Sequence, residues 1–218
     1  METELLKPEE LDTHVLNKTL RLAFIGMSNA GKSYRSKILR DETDFLWFHV
    51  DEGIYRELGF ASIEEISSWL GYPTSERYEA REAKYLELEN KLTRQSSMRT
   101  DGKNLVFDTT GSVVHLSGDT LKTLHDNCLV VHLDVGEESL EKFVERFFKY
   151  PKPVAWCGFL QSMGGGSFEE AVRRSYPKLL QFRLKRYRAL AQVNVPAREV
   201  RDTSARETLN IIKKYLST

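Results

Sequence analysis

Gly26-Met27-Ser28-Asn29-Ala30-Gly31-Lys32-Ser33 is the stretch on which the fold turns. It fits the pattern G-x-x-x-x-G-K-[ST] in full, and the elements that give the pattern meaning flank it. Before it, residues 20–25 (LRLAFI) are a short apolar run suited to a buried strand; after it, residues 32–39 suit a helix. Glycines let backbone N–H groups turn inward around a phosphate, and the helix N-terminus adds positive potential. Lys32 would reach the β- and γ-phosphate oxygens, and the Ser33 hydroxyl would supply a magnesium ligand. The expected nucleotide contacts are therefore Gly26, Ser28, Asn29, Ala30, Gly31, Lys32, Ser33 and the adjacent Tyr34. A Gly-Lys-Ser turn with no ligand is the competing reading, and motif and context together outweigh it. No Asn-Lys-x-Asp guanine motif follows, since the Asn-Lys pairs at Asn17 and Asn90 continue as Thr-Leu and Leu-Thr. ATP is the expected nucleotide.

Outward from this loop the chain alternates. Residues 46–50 (LWFHV), 104–107 and 128–135 (CLVVHLDV) read as further strands, and residues 197–201 as a fifth. Helical patterns fall at 62–71, 75–94, 137–148 and 205–216. Strands alternating with helices imply βαβ crossovers and a parallel sheet covered on both faces. The expected fold is a three-layer α/β/α sandwich with a five-stranded parallel sheet. A loose arm or short helix over residues 1–18 would precede one domain over 19–218, with a mobile lid over about 149–182. Gly164-Gly165-Gly166 reads as a hinge or loop within that lid.

Composition narrows the setting. A chain of 218 residues fits one domain, and 32 Lys plus Arg against 32 Asp plus Glu leave no global field to gather nucleic acid or an anionic membrane. The two cysteines, Cys128 and Cys157, sit in dissimilar contexts and suggest a reducing compartment. With no leader-like start and no long apolar run, the expectation is a cytoplasmic protein, monomeric or weakly dimeric, acting on a small molecule.

Beyond the loop, the order of motifs resembles shikimate kinase, a small kinase that phosphorylates one hydroxyl of a cyclic acid. Asp51-Glu52-Gly53-Ile54, Gly59 and Ser62-Ile63-Glu64-Glu65-Ile66 resemble that family's D-E-x-I…G…S-I-x-E-I, with one residue inserted near Ala61. The stretch from Glu82 to Glu89 resembles its G-E-x-x-F-R-x-L-E helix. Val130 to Val135 with Glu145-Arg146 resembles the strand and helix before its lid. Arg183 to Tyr187 is similar to its R-x-x-x-Y segment, and Val200 to Ser204 to its terminal V-x-D-T loop beside adenine. The resemblance implies ATP and Mg2+, with Asp51 and Gly111 around the phosphate acceptor; among the cations from Arg146 to Arg188, Arg146 is expected near adenine or phosphate and Arg183 on the acceptor.

The departures cluster at the acceptor. Leu86 stands where the family's carboxylate-gripping arginine falls, and leucine cannot replace a bidentate guanidinium. Thr110-Gly111-Ser112 replaces three glycines, His49 replaces an aspartate, and Lys152 replaces the lid arginine. A longer lid could compensate through Lys152, Arg173 or Arg174. Shikimate is one candidate acceptor, weakened by Leu86 and Thr110. A non-catalytic nucleotide-binding relative is the alternative: Lys32 and Ser33 argue against it and the altered acceptor motifs for it.

Individual residues carry a bland and a sharp reading. Asp51, just past a strand end, could cap the next helix or anchor the acceptor hydroxyl as a base. Asp108 follows Leu105-Val106-Phe107 and, if that strand lies beside the loop strand, its carboxylate would face the metal. Otherwise it only forms a turn. His49 reads as a packed or hydrogen-bonded histidine, and His115, His125 and His132 show no metal spacing. From Arg146 to Arg188 there are ten Lys or Arg and two acids, which favours phosphate contact for one or two of them over a purely solvated face. Trp156, Cys157 and Phe159 fit either an acceptor wall or lid packing.

Overall fold

Each strand of the chain is short, apolar and followed by a helix, and the sequence folds accordingly. The computed structural model describes residues 6–150, 152–160 and 166–216. Five strands, β1 (Arg21–Ile25), β2 (Leu46–His49), β3 (Leu105–Asp108), β4 (Leu129–Asp134) and β5 (Val193–Pro196), form one sheet in the order β2-β3-β1-β4-β5. All four pairings are parallel. Side chains alternate across a strand, so Leu22 and Phe24 enter one core and Ala23 and Ile25 the other. Helices α1 (Pro8–Leu16), α2 (Lys32–Glu42) and α9 (Ala205–Leu216) cover the first face through Leu11, Leu39 and Ile212. Helices α3 (Val50–Leu58), α4 (Ile63–Leu70), α5 (Tyr78–Ser97), α6 (Gly118–Asn127), α7 (Leu140–Lys149) and α8 (Phe168–Leu190) make up the rest. Ile54, Ile66, Leu88, Leu124, Val144 and Leu179 bring them into the second core. Burial of each such side chain contributes about 1.5–3 kcal/mol. The result is the expected three-layer sandwich.

Two expectations shift. The fifth strand is Val193–Pro196, not residues 197–201. Val193 and Val195 alternate inward opposite Val131 and Leu133 on β4, whereas 197–201 turns away with only Val200 buried. The region expected as lid is partly one long helix, α8, which starts at Phe168 behind a capping box. The Ser167 hydroxyl accepts from the Glu170 N–H at 3.2 Å, and the Glu170 carboxylate accepts from the Ser167 N–H at 2.7 Å. Gly164 and Gly165, read as a hinge, lie outside the described residues. Among the described residues, no helix is long and apolar enough to cross a membrane.

Candidate active site

The loop between β1 and α2 closes on itself. Gly26 and Gly31 take φ of 137° and 99°, and Asn29 takes 69°, a left-handed conformation that asparagine tolerates. A Cβ on Gly26 would come within 3.0 Å of the Leu133 carbonyl, so side chains are excluded where the loop crosses β4. The Lys32 ammonium is buried and donates to the Gly26 and Met27 carbonyls at 2.8 and 2.9 Å. Burial lowers its pKa to about 8, against the pull of Asp108 and Asp51 in the other direction.

β3 does lie beside β1, and Asp108 ends it. The Ser33 hydroxyl donates to Asp108 Oδ2 at 2.5 Å, and Trp47 Nε1–H donates to Oδ1 at 2.6 Å. His49 Nε2 lies 3.2 Å from Oδ2 and 3.1 Å from Ser33 Oγ. His49 is also the N-cap of α3, its Nδ1 accepting from the Glu52 N–H at 3.0 Å. The capping role considered for Asp51 thus belongs to His49. Asp51 sits in the first turn of α3, where burial raises its pKa and the Tyr85 hydroxyl donates to it at 3.2 Å.

Two cavities adjoin the loop. The larger, about 600 Å³, is lined by Asn29, Ala30, Gly31, Tyr34 and Arg146, and by the 196–201 turn. The smaller brings Ser28, Asp51, Gly111 and Arg183 together. Asn29 and Arg146 line both, so the two cavities meet above the loop. Arg183 is 6% exposed, with Nε donating to His115 Nε2 at 3.2 Å and Nη2 to the Ala155 carbonyl at 2.7 Å. Its Nη1 would lie 3.6 Å from a Cβ at Gly111, so the third edge of the guanidinium faces that loop. Lys152 lines the smaller cavity and donates to Asn29 Oδ1 at 2.8 Å. Arg173 is instead engaged on the surface with Glu145 and Glu169, at 2.8 and 2.9 Å. Leu86 is half-buried against the apolar core.

Residues 156 and 157 are tied to α5 through their backbone. Trp156 N–H donates to the Tyr78 hydroxyl at 2.8 Å and Cys157 N–H to Glu82 at 2.9 Å. The Trp156 ring is fully buried beside Phe147 and Tyr176, so it packs against α7 and α8, while Val154 and Ala155 line the cavity.

Sequence reasoning passed over three groups here. Trp47 was visible only through its two-residue spacing from His49. Tyr85 and Glu89 share the buried face of α5, and Glu89 accepts hydroxyl bonds from Thr110 and, at 2.6 Å, from Ser112. Burial raises the Glu89 pKa to about 7.

Comparison with known proteins places the fold. No protein-family model matches the sequence, and no curated protein matches it as a relative. Among solved structures, shikimate kinase from Bacteroides thetaiotaomicron superposes with a TM-score of 0.61 at 17% identity, over 91% of this chain and 99% of that one. Shikimate kinase from Acinetobacter baumannii, solved in complex with shikimate, gives 0.59 at 21% identity over 95% and 97%. The enzyme from Aquifex aeolicus gives 0.59 at 21% over 91% and 96%. The chain has the fold of these shikimate kinases.

Proposed function

We propose that this chain transfers the γ-phosphoryl group of Mg-ATP to a hydroxyl of a small polar metabolite, in a soluble, cytoplasmic setting. One observation carries this reading: the cleft holding Asp51, Gly111 and Arg183 meets the larger cavity at Asn29 and Arg146, directly over the Lys32 loop. Adenine and ribose would occupy the larger cavity, with the phosphates running along the loop toward the cleft. Loop N–H groups and Lys32 would bind the β- and γ-phosphates, and Arg146, at the junction, would face transferring charge.

Ser33 and Asp108 fit a magnesium ion, being a hydroxyl and a carboxylate 2.5 Å apart, the hard oxygen donors that such ions take. Bound there, magnesium would neutralise negative charge on the phosphates. Asp51 would hold the acceptor hydroxyl and take its proton, a role favoured by the burial that raises its proton affinity. Arg183, fixed on two sides, would pair with an anionic group of the acceptor. Catalysis would come mainly from positioning and charge neutralisation.

Calorimetric titration with Mg-ATP tests the nucleotide half. Lys32→Ala should weaken binding about 10–100-fold, since a hydrogen bond to a charged group contributes about 1.5–3 kcal/mol. Equal affinity in the variant and the wild type would contradict the cradle.

A further inference from the structure

The carboxylate of Asp108 is 2% exposed, and three side chains reach it. Ser33 donates to Oδ2 at 2.5 Å and Trp47 Nε1–H to Oδ1 at 2.6 Å, while His49 Nε2 lies 3.2 Å from Oδ2 and is hydrogen-bonded to Ser33 Oγ at 3.1 Å. The parallel register sets His49 opposite Asp108, with Trp47 two residues earlier on the same face of β2. The two rings meet edge to face, with centroids 5.7 Å apart, so each limits the rotation of the other.

Neither ring is arranged as a metal ligand. An indole nitrogen is a donor only. His49 Nδ1 already accepts the Glu52 N–H at 3.0 Å, which leaves the proton of the neutral imidazole on Nε2. The strand end therefore offers two N–H donors, one of them at the position where the shikimate kinase pattern has an aspartate.

We propose that Trp47 and His49 are positioning residues for the metal site: together they lock the Asp108 carboxylate with Oδ2 turned toward Ser33. The proposal rests on the reading of Ser33 and Asp108 as magnesium ligands. A carboxylate free to rotate must be ordered when the ion binds, whereas one clamped at both oxygens is ordered beforehand. Partners of this kind, one bond removed from a metal, typically contribute about 10–100-fold in metal affinity.

The test is calorimetric ATP affinity at saturating Mg2+ and again in EDTA, for the wild type, Trp47→Phe, His49→Leu and His49→Gln. Affinity in EDTA should match the wild type in all three variants, which also reports an intact fold. The gain on adding Mg2+ should shrink about 10–100-fold in Trp47→Phe and His49→Leu. It should be largely kept in His49→Gln, whose amide still donates. In the wild type, indole emission should change with Mg-ATP but not with ATP in EDTA, and Trp47→Phe should abolish the change. A wild type indifferent to Mg2+ would overturn the metal reading of Ser33 and Asp108, and this proposal with it. A normal wild-type response that survives unchanged in Trp47→Phe and His49→Leu would overturn the positioning role alone.

Discussion

Glu89 shows how much a single residue can conceal. In the sequence it is one of many acids on a charged helix; in the fold it is fully buried, with two hydroxyls for partners and burial holding its pKa at about 7. The unfolded chain releases this proton near pH 4.5 and the folded chain near 7, so the group favours folding most at low pH. That contribution is lost as pH rises through the window, by about 3 kcal/mol in all. Urea unfolding at pH 5 and pH 8 should therefore show a decline in the wild type that is clearly smaller in Glu89→Gln; parallel pH profiles would place the titration elsewhere. Other residues singled out in the sequence could be read one by one. The loop pattern exposed Lys32 and Ser33, and a strand ending in Asp108 exposed its carboxylate. The hydrogen bonds that decide between bland and sharp readings were not legible. Whether Asp51 or His49 caps α3 depends on which side chain turns back to the Glu52 N–H, and both sit at the same strand end.

Elements were legible where their periodicity was clean. β1, β3, β4 and α9 fall within a residue or so of expectation because apolar runs and turn residues bound them. β5 was displaced because Val193 and Val195 are a two-residue alternation in a polar stretch, recognisable only beside β4. Helix α8 was masked by its cations, although Ser167-Phe168-Glu169-Glu170 carries a capping-box signature. That cap starts the helix that carries Arg183 to the cleft. Ser167→Ala should lower stability by about 1 kcal/mol, measured by urea denaturation. No change in the unfolding midpoint would mean the box adds nothing to α8.

For the whole molecule, alternation of strand and helix sufficed for the architecture, because a sheet with apolar residues on both faces must be covered on both. The meeting of two cavities over the loop was not legible in the same way, since it joins side chains from α2, α3, α7 and α8 that are far apart in the chain. At this scale Leu86 packs against the core, while Arg183 and Lys152 line the smaller cavity. The central claim is phosphoryl transfer, and 31P NMR of the protein with Mg-ATP and a mixture of small hydroxylated acids, shikimate included, tests it most directly. The account predicts that the γ-phosphate signal gives way to ADP and a new phosphomonoester, and that Lys32→Ala abolishes both. Mg-ATP that binds yet stays intact, or yields only ADP and inorganic phosphate, would contradict it and leave the fold a nucleotide-binding relative without transferase chemistry.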